Sequence, residues 1–150
     1  MATTHSGRAD HKRMRVLIAD DNYAFRQGLN VLLGFEQDIE VVAVASSDRQ
    51  TIELALKHRP DAIVMDLSMG TISGTEIIRK LVTELPDSQV LVLSGHSEKR
   101  VIDAAFASGA AAYLTKSSSL HEVPIALRQL RQGRGQVEIR PRVKLANGGI

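Results

Sequence analysis

Short apolar runs rich in Val, Ile and Leu alternate five times with stretches long enough to form a helix, and few folds accommodate that alternation. The runs are 15–19, 40–45, 62–65, 89–93 and 111–115, and polar residues hardly interrupt them. A strand with one wet face would show a period-two pattern of polar residues, so these runs suit strands buried on both faces. The stretches between and after them, 22–35, 48–58, 73–84, 97–107 and 120–132, suit crossover helices. Five strand–helix pairs in succession predict an α/β fold: a doubly wound, five-stranded parallel sheet covered on both faces.

Local punctuation agrees with these boundaries. Asp48 is placed to cap the second helix, and Pro60 follows its end. Ser73 with Glu76, and Ser119 with Glu122, have the spacing of capping boxes before the third and fifth helices. Gly109 stands where the fourth helix would need a left-handed residue to stop, and Pro124 falls in a first turn, where proline is tolerated.

Length and charge narrow the remaining possibilities. A chain of 150 residues suits one compact domain. It has no Cys, which excludes disulfides and thiolate metal sites. No run approaches the roughly 18 apolar residues of a membrane span, and the first residues have no apolar core of a secretory signal. A cytoplasmic location with no membrane partner is therefore expected. The net charge of +2 is unevenly spread. Residues 1–15 carry four Lys/Arg against one Asp, residues 128–150 carry six against one Glu, and 16–127 carry nine against fifteen acids. The basic character thus belongs to the ends, which argues against nucleic-acid binding by the central part. We expect a basic N-terminal extension over 1–13, one domain over 14–132, and a basic tail or linker over 133–150.

The polar residues that close the apolar runs carry the chemistry. Asp20 and Asp21 follow VLIA, Asp66 follows AIVM, Ser94 follows VLVL, and Lys116 follows AAYLT. In a doubly wound sheet, ligands bind outside the carboxyl ends of the central strands, where all five residues fall. Taken alone, the acidic pair could cap a helix and offset its dipole. With a third carboxylate at another strand end, a site for a hard cation is favoured, since Mg²⁺ prefers carboxylate oxygens. A carboxylate such as Asp66 can also attack a phosphoryl group and hold it as an acyl phosphate. Lys116 offers a point charge for phosphoryl oxygens, and Ser94 offers a hydrogen-bond donor.

The ordered set VLIADD, VMDLSM, VLVLSG and AYLTK resembles the receiver domain of two-component response regulators, over about residues 14–132. The details LSM, SGHSE and GAAAYLTKS are most similar to the LuxR-type (NarL/FixJ-like) branch. The resemblance implies a flavodoxin-like (βα)5 fold with strand order 2-1-3-4-5. It implies Asp66 as phosphoacceptor, with Mg²⁺ (or Mn²⁺) held by Asp20, Asp21, Asp66 and the backbone carbonyl of Ser68, Asp20 acting mostly through a water. Ser94 and Lys116 would contact the phosphoryl group. Ser94 and Tyr113 would form a switch, with Tyr113 rotating inward as Ser94 moves. Ser68 and His96 would tune how fast water removes the phosphoryl group. The expected partner is a sensor histidine kinase, with a possible homodimer on phosphorylation. The output face would be 97–107, 111–115 and 120–132. Transcription would be controlled through a DNA-binding domain that this sequence does not contain, so a stand-alone regulator acting by protein–protein contact is the alternative.

Two positions depart from the common pattern. Gly70 stands where receivers usually have Pro, which should loosen the adjacent loop. Ser117 stands where many have Pro after the lysine, and a cis Lys116–Ser117 peptide is predicted. An aspartyl-phosphate phosphohydrolase is disfavoured, because its nucleophile would sit at the first strand in a DxD pattern, and the chain has Asp20-Asp21-Asn22. A degenerate, inert receiver is disfavoured by the presence of all five site residues. Such a switch would not be an enzyme beyond catalysing its own phosphorylation and dephosphorylation. The histidines His5, His11, His58 and His121 show no ligand spacing.

Overall fold

Each of the five apolar runs forms a strand in a computed structural model, which describes residues 12–133 apart from Thr71, Ser118 and Ser119. The order is β1 (Met14–Ala19), α1 (Tyr23–Gly34), β2 (Ile39–Ala45), α2 (Asp48–His58), β3 (Ala62–Met65), then α3 (Gly74–Glu84). It continues through β4 (Gln89–Ser94), α4 (Lys99–Ala107) and β5 (Ala112–Thr115) to α5 (Glu122–Gly133). All strand pairs are parallel, and the sheet order is β2-β1-β3-β4-β5. Strand boundaries agree with the sequence to within one residue. The fourth and fifth helices begin two residues later than expected.

The lack of polar alternation has its expected cause: alternate side chains enter two separate cores. Leu17, Ile63, Val90, Val92 and Tyr113 pack with Ile77, Ile78 and Leu81 of α3 and with Ile102 and Ala105 of α4. Val16, Ile18, Val64, Leu91 and Leu114 pack with Leu29 and Leu33 of α1 and with Val123, Leu127 and Leu130 of α5. Neighbouring residues of one strand therefore serve opposite faces, and a single polar substitution in a central strand would strand a polar group in one core. The pairing aligns Ala19 with Met65, and Ser94 with Thr115, so the residues that leave these strands emerge along one edge.

The helix ends correct one expectation. Ser47, not Asp48, is the N-cap of α2: its side chain accepts a hydrogen bond from the Gln50 amide. Serine caps a helix about as well as aspartate, and the backbone geometry puts Ser47 at the cap with Asp48 one residue inside it. Ser73 occupies the N-cap position of α3 without a side-chain cap bond, so the expected capping box is not formed; its hydroxyl lies 2.9 Å from that of Thr75. Gly109 follows α4 at φ +118°, the conformation predicted for it. The box proposed for Ser119 and the terminal segments 1–11 and 134–150 lie outside the described residues. Among the described residues, no helix is long and apolar enough to cross a membrane.

Candidate phosphoryl and cation site

The carboxyl edge of the sheet gathers the acidic residues because β1 and β3 are neighbours. Asp20 continues β1 and donates its amide to Ala45, while Asp66 continues β3 and donates its amide to Ala19. One carboxylate oxygen each from Asp20, Asp21 and Asp66 lies within 4.8 Å of the others. Asp20 and Asp66 are only 3% and 7% exposed, whereas Asp21 faces solvent. The helix-cap explanation for the acidic pair does not hold, since Asn22 caps α1 and accepts from the Phe25 amide. Asp20 does assist the turn locally, accepting from the Asn22 amide at 2.9 Å.

Lys116 completes the cluster from the far side of β4. Its amide donates to the Ser94 carbonyl at 2.7 Å, which fixes the turn out of β5. Its ammonium then lies 2.8 Å from Asp20 Oδ2 and 3.4 Å from Asp66 Oδ2. The first is a charge-assisted hydrogen bond; the second is long enough to be mainly Coulombic. Burial would lower the pKa of this ammonium, but the hydrogen bond to Asp20 and the charge of Asp66 outweigh it, so the pKa lies above the ordinary lysine value.

Three carboxylates against one ammonium leave an excess of negative charge in a partly dry pocket. Hard oxygen donors in that number are the ligand set of Mg²⁺ or Mn²⁺, so the residues fit a divalent cation. Among the described residues, this is where three acidic or imidazole groups converge closely enough to hold one.

The Lys116–Ser117 bond is trans, since there is no cis peptide among the described residues, and the cis expectation is corrected. The physical reason is direct. A non-proline cis bond costs about 3–4 kcal/mol, and Lys116 reaches both carboxylates without it.

Ser94, at the end of β4, is fully buried, and its hydroxyl accepts from the His96 amide at 3.1 Å. Tyr113 is also fully buried, and its hydroxyl donates to the His96 carbonyl at 2.7 Å. The ring is thus already turned inward, where the sequence led us to expect inward rotation as a consequence of switching. Burial pushes the phenol pKa up from its ordinary value, opposed by the Ser94 hydroxyl and reinforced by the charges of Glu98 and Asp66. The His96 side chain is half exposed, with Nδ1 3.5 Å from the Glu98 carboxylate. Ser68 is exposed on the loop after Asp66.

Two residues of this neighbourhood went unnoticed in the sequence. The Phe25 ring centroid lies 4.3 Å from the Lys116 ammonium, and Arg26 donates to the Asp20 carbonyl at 2.8 Å. The Asn22 cap was the available signal. It places 25 and 26 in the first turn of α1, which leaves the same sheet edge and can reach back over it.

Comparison with known proteins agrees with this geometry. Residues 16–128 match the response regulator receiver domain family. The chain is 33% identical over 124 residues to the transcriptional regulatory protein DegU of Brevibacillus brevis, covering 83% of this chain and 52% of that protein. It is 34% identical over 125 residues to the transcriptional regulatory protein LiaR of Bacillus subtilis (strain 168), covering 83% and 59%. It therefore spans little more than half the length of these curated relatives. Among solved structures, a two-component response regulator of the LuxR family from Aurantimonas sp. SI85-9A1 superimposes with a TM-score of 0.79 at 27% identity, covering 91% of this chain and 95% of that one.

Proposed function

The chain belongs to the response regulator receiver domain family, and on that premise we propose that Asp66 accepts a phosphoryl group from a sensor histidine kinase. An Asp66 carboxylate oxygen attacks phosphorus, the phosphorus–nitrogen bond of the donor phosphohistidine breaks, and the imidazole leaves with a proton from solvent. The product is an acyl phosphate. Water later cleaves it, returning the carboxylate and releasing inorganic phosphate. The observation that carries this reading is the convergence of three carboxylates and one ammonium at a single sheet edge.

Asp20, Asp21, Asp66 and the Ser68 carbonyl would hold Mg²⁺ or Mn²⁺. When bound, the cation supplies positive charge to phosphoryl oxygens, the main electrostatic demand of such transfers. Lys116 serves the same oxygens, and to do so its ammonium leaves Asp20 for the phosphoryl group. Ser94 donates its hydroxyl to another oxygen, which releases the His96 amide it now accepts from. Because Tyr113 holds the His96 carbonyl, movement of Ser94 is felt in the 95–98 loop and at the start of α4. The switch is then a rearrangement of this loop around a tyrosine that stays inside, and the output face is α4, β5 and α5. By the receiver resemblance, Ser68 and His96, two residues after Asp66 and Ser94, would tune how fast water removes the phosphoryl group.

The relatives named as transcriptional regulatory proteins support a role in controlling transcription. On the same proposal the protein acts in the cytoplasm, reaches DNA through a DNA-binding output domain, and dimerises on phosphorylation. Intact-mass measurement after incubation with Mg²⁺ and a small phosphodonor tests the reading. We expect one phosphoryl adduct, absent without Mg²⁺ and absent in Asp66→Ala. An adduct that persists in Asp66→Ala would overturn the assignment.

A further inference from the structure

Gly70, in the loop between β3 and α3, stands where the receiver pattern has proline. Glycine is favoured where φ is positive, yet among the described glycines that conformation belongs to Gly109. The need at Gly70 is space. A Cβ there would lie 2.7 Å from both carboxylate oxygens of Asp48 and 2.9 Å from its Cγ. The same carboxylate accepts the Ile72 amide at 3.0 Å, across a sequence separation of 24 residues.

Asp48 is an unusual residue to find in that place. It is the first residue of α2 and only 5% exposed. Its Oδ1 has no hydrogen-bond partner among the described residues. Taking a carboxylate out of water is expensive unless nearby dipoles replace the lost hydration. Here the amino end of α2 and the Ile72 amide supply them. A residue that served only the helix dipole would do so equally well in water and would be indifferent to residue 70.

We propose that Asp48 is a positioning residue, a clamp reaching from α2 to hold the loop that follows Asp66, and that Gly70 is the clearance that lets it close. In this chain a carboxylate on a neighbouring helix thus does the restraining that a proline does within the loop. The consequence for the site rests on the function proposed above, because the clamped loop begins with Ser68, whose carbonyl is assigned to the cation. On this proposal the loop beside the site is held, where Gly70 alone was expected to loosen it.

The test uses the full chain with Gly70→Ala, Asp48→Ala, Asp48→Asn and the double variant. Alone, Gly70→Ala should lower Tm by about 5 °C, the effect of forcing one methyl group into a filled space. In the Asp48→Ala background the same change should be neutral or stabilising, because alanine restricts the unfolded chain. Exchange of the Ile72 amide should become about tenfold faster in Asp48→Ala and stay protected in Asp48→Asn, which keeps an acceptor oxygen. Mn²⁺ affinity, read by electron paramagnetic resonance, should weaken about tenfold in Asp48→Ala and recover in Asp48→Asn. If Asp48→Ala does not fold, Asp48→Ser, shorter but well suited to a first helical turn, carries the same comparisons.

Additive effects of the two substitutions, unchanged Ile72 exchange, or unchanged Mn²⁺ affinity would each overturn the clamp. Failure of the wild-type chain to take a phosphoryl group would instead sink the proposed function, and the exchange and melting comparisons would still judge the clamp.

Discussion

Removing a carboxylate from the candidate site should make the metal-free protein more stable. Asp21→Asn is the cleanest perturbation: Asp21 is exposed, and the cap of α1 belongs to Asn22. Its carboxylate oxygen lies within 4.8 Å of those of Asp20 and Asp66. At 4.8 Å, two unit charges repel by roughly 0.9 kcal/mol in a water-like medium and roughly 3.5 kcal/mol at the effective dielectric of a protein surface. Exposure of Asp21 places its two repulsions near the lower figure. The ammonium of Lys116, beside the other two carboxylates, offsets part of it. We expect a net gain of about 1–2 kcal/mol, or a rise in Tm of about 3–8 °C, in low salt without divalent cations. The gain should shrink as NaCl screens the charges. Excess MgCl₂ should reverse the order. A ligand at about 100 times its Kd stabilises by about 2.7 kcal/mol, and Asp21→Asn should forfeit most of that. Thermal melts with and without MgCl₂ read both effects. A variant no more stable than wild type without cation, or one that gains as much from Mg²⁺, would show that repulsion among the carboxylates does not set this stability.

Three further substitutions probe the surroundings. Tyr113→Phe removes the donor to the His96 carbonyl and should cost about 1 kcal/mol in urea unfolding, with amide shifts concentrated in 95–98; an unchanged midpoint would show that bond to be idle. Phe25→Leu keeps an apolar side chain beside Lys116 but removes the ring, costing about 0.5–1 kcal/mol and abolishing the ring-current shift of the Lys116 side chain; a retained shift would contradict the contact. Arg128 of α5 pairs with Glu36 and with Asp38, and its hydrogen bond holds the Asp38 carboxyl below its ordinary value of 3.8. A depressed carboxyl pKa stabilises the fold above the unfolded value and loses that stabilisation as pH falls through the folded one. The advantage of wild type over Arg128→Gln, under about 1 kcal/mol for so exposed a pair, should therefore shrink as pH falls through and below the ordinary carboxyl value of 3.8. A gap that widens in acid would contradict this sign.

The sheet was legible because burying both faces removes polar residues from the strands, and that pattern survives in any one sequence. The candidate site was legible for a related reason: a charged residue directly after four apolar ones, as at Asp66, is hard to explain by packing. What stayed hidden depended on side-chain direction. Ser47 and Asp48 are adjacent candidates for one cap, and only backbone geometry frees Asp48 to reach Ile72. Tyr113 was expected to turn inward on switching; here it already lies inside, donating to the His96 carbonyl, a partner that no motif displays. The Lys116–Ser117 bond followed its own chemistry rather than the family's proline. Gly70 looked like added freedom until the space beside it proved to be occupied.

We claim that Asp66, among three converging carboxylates, is the group that carries the phosphoryl. Borohydride reduces an aspartyl phosphate to homoserine and so marks the acceptor permanently. After phosphorylation with Mg²⁺ and a small donor, followed by borohydride and peptide mass mapping, we expect homoserine at 66 and aspartate retained at 20 and 21. Homoserine at 20 or 21, or its absence from 66 in a chain that carries the adduct, would contradict the claim.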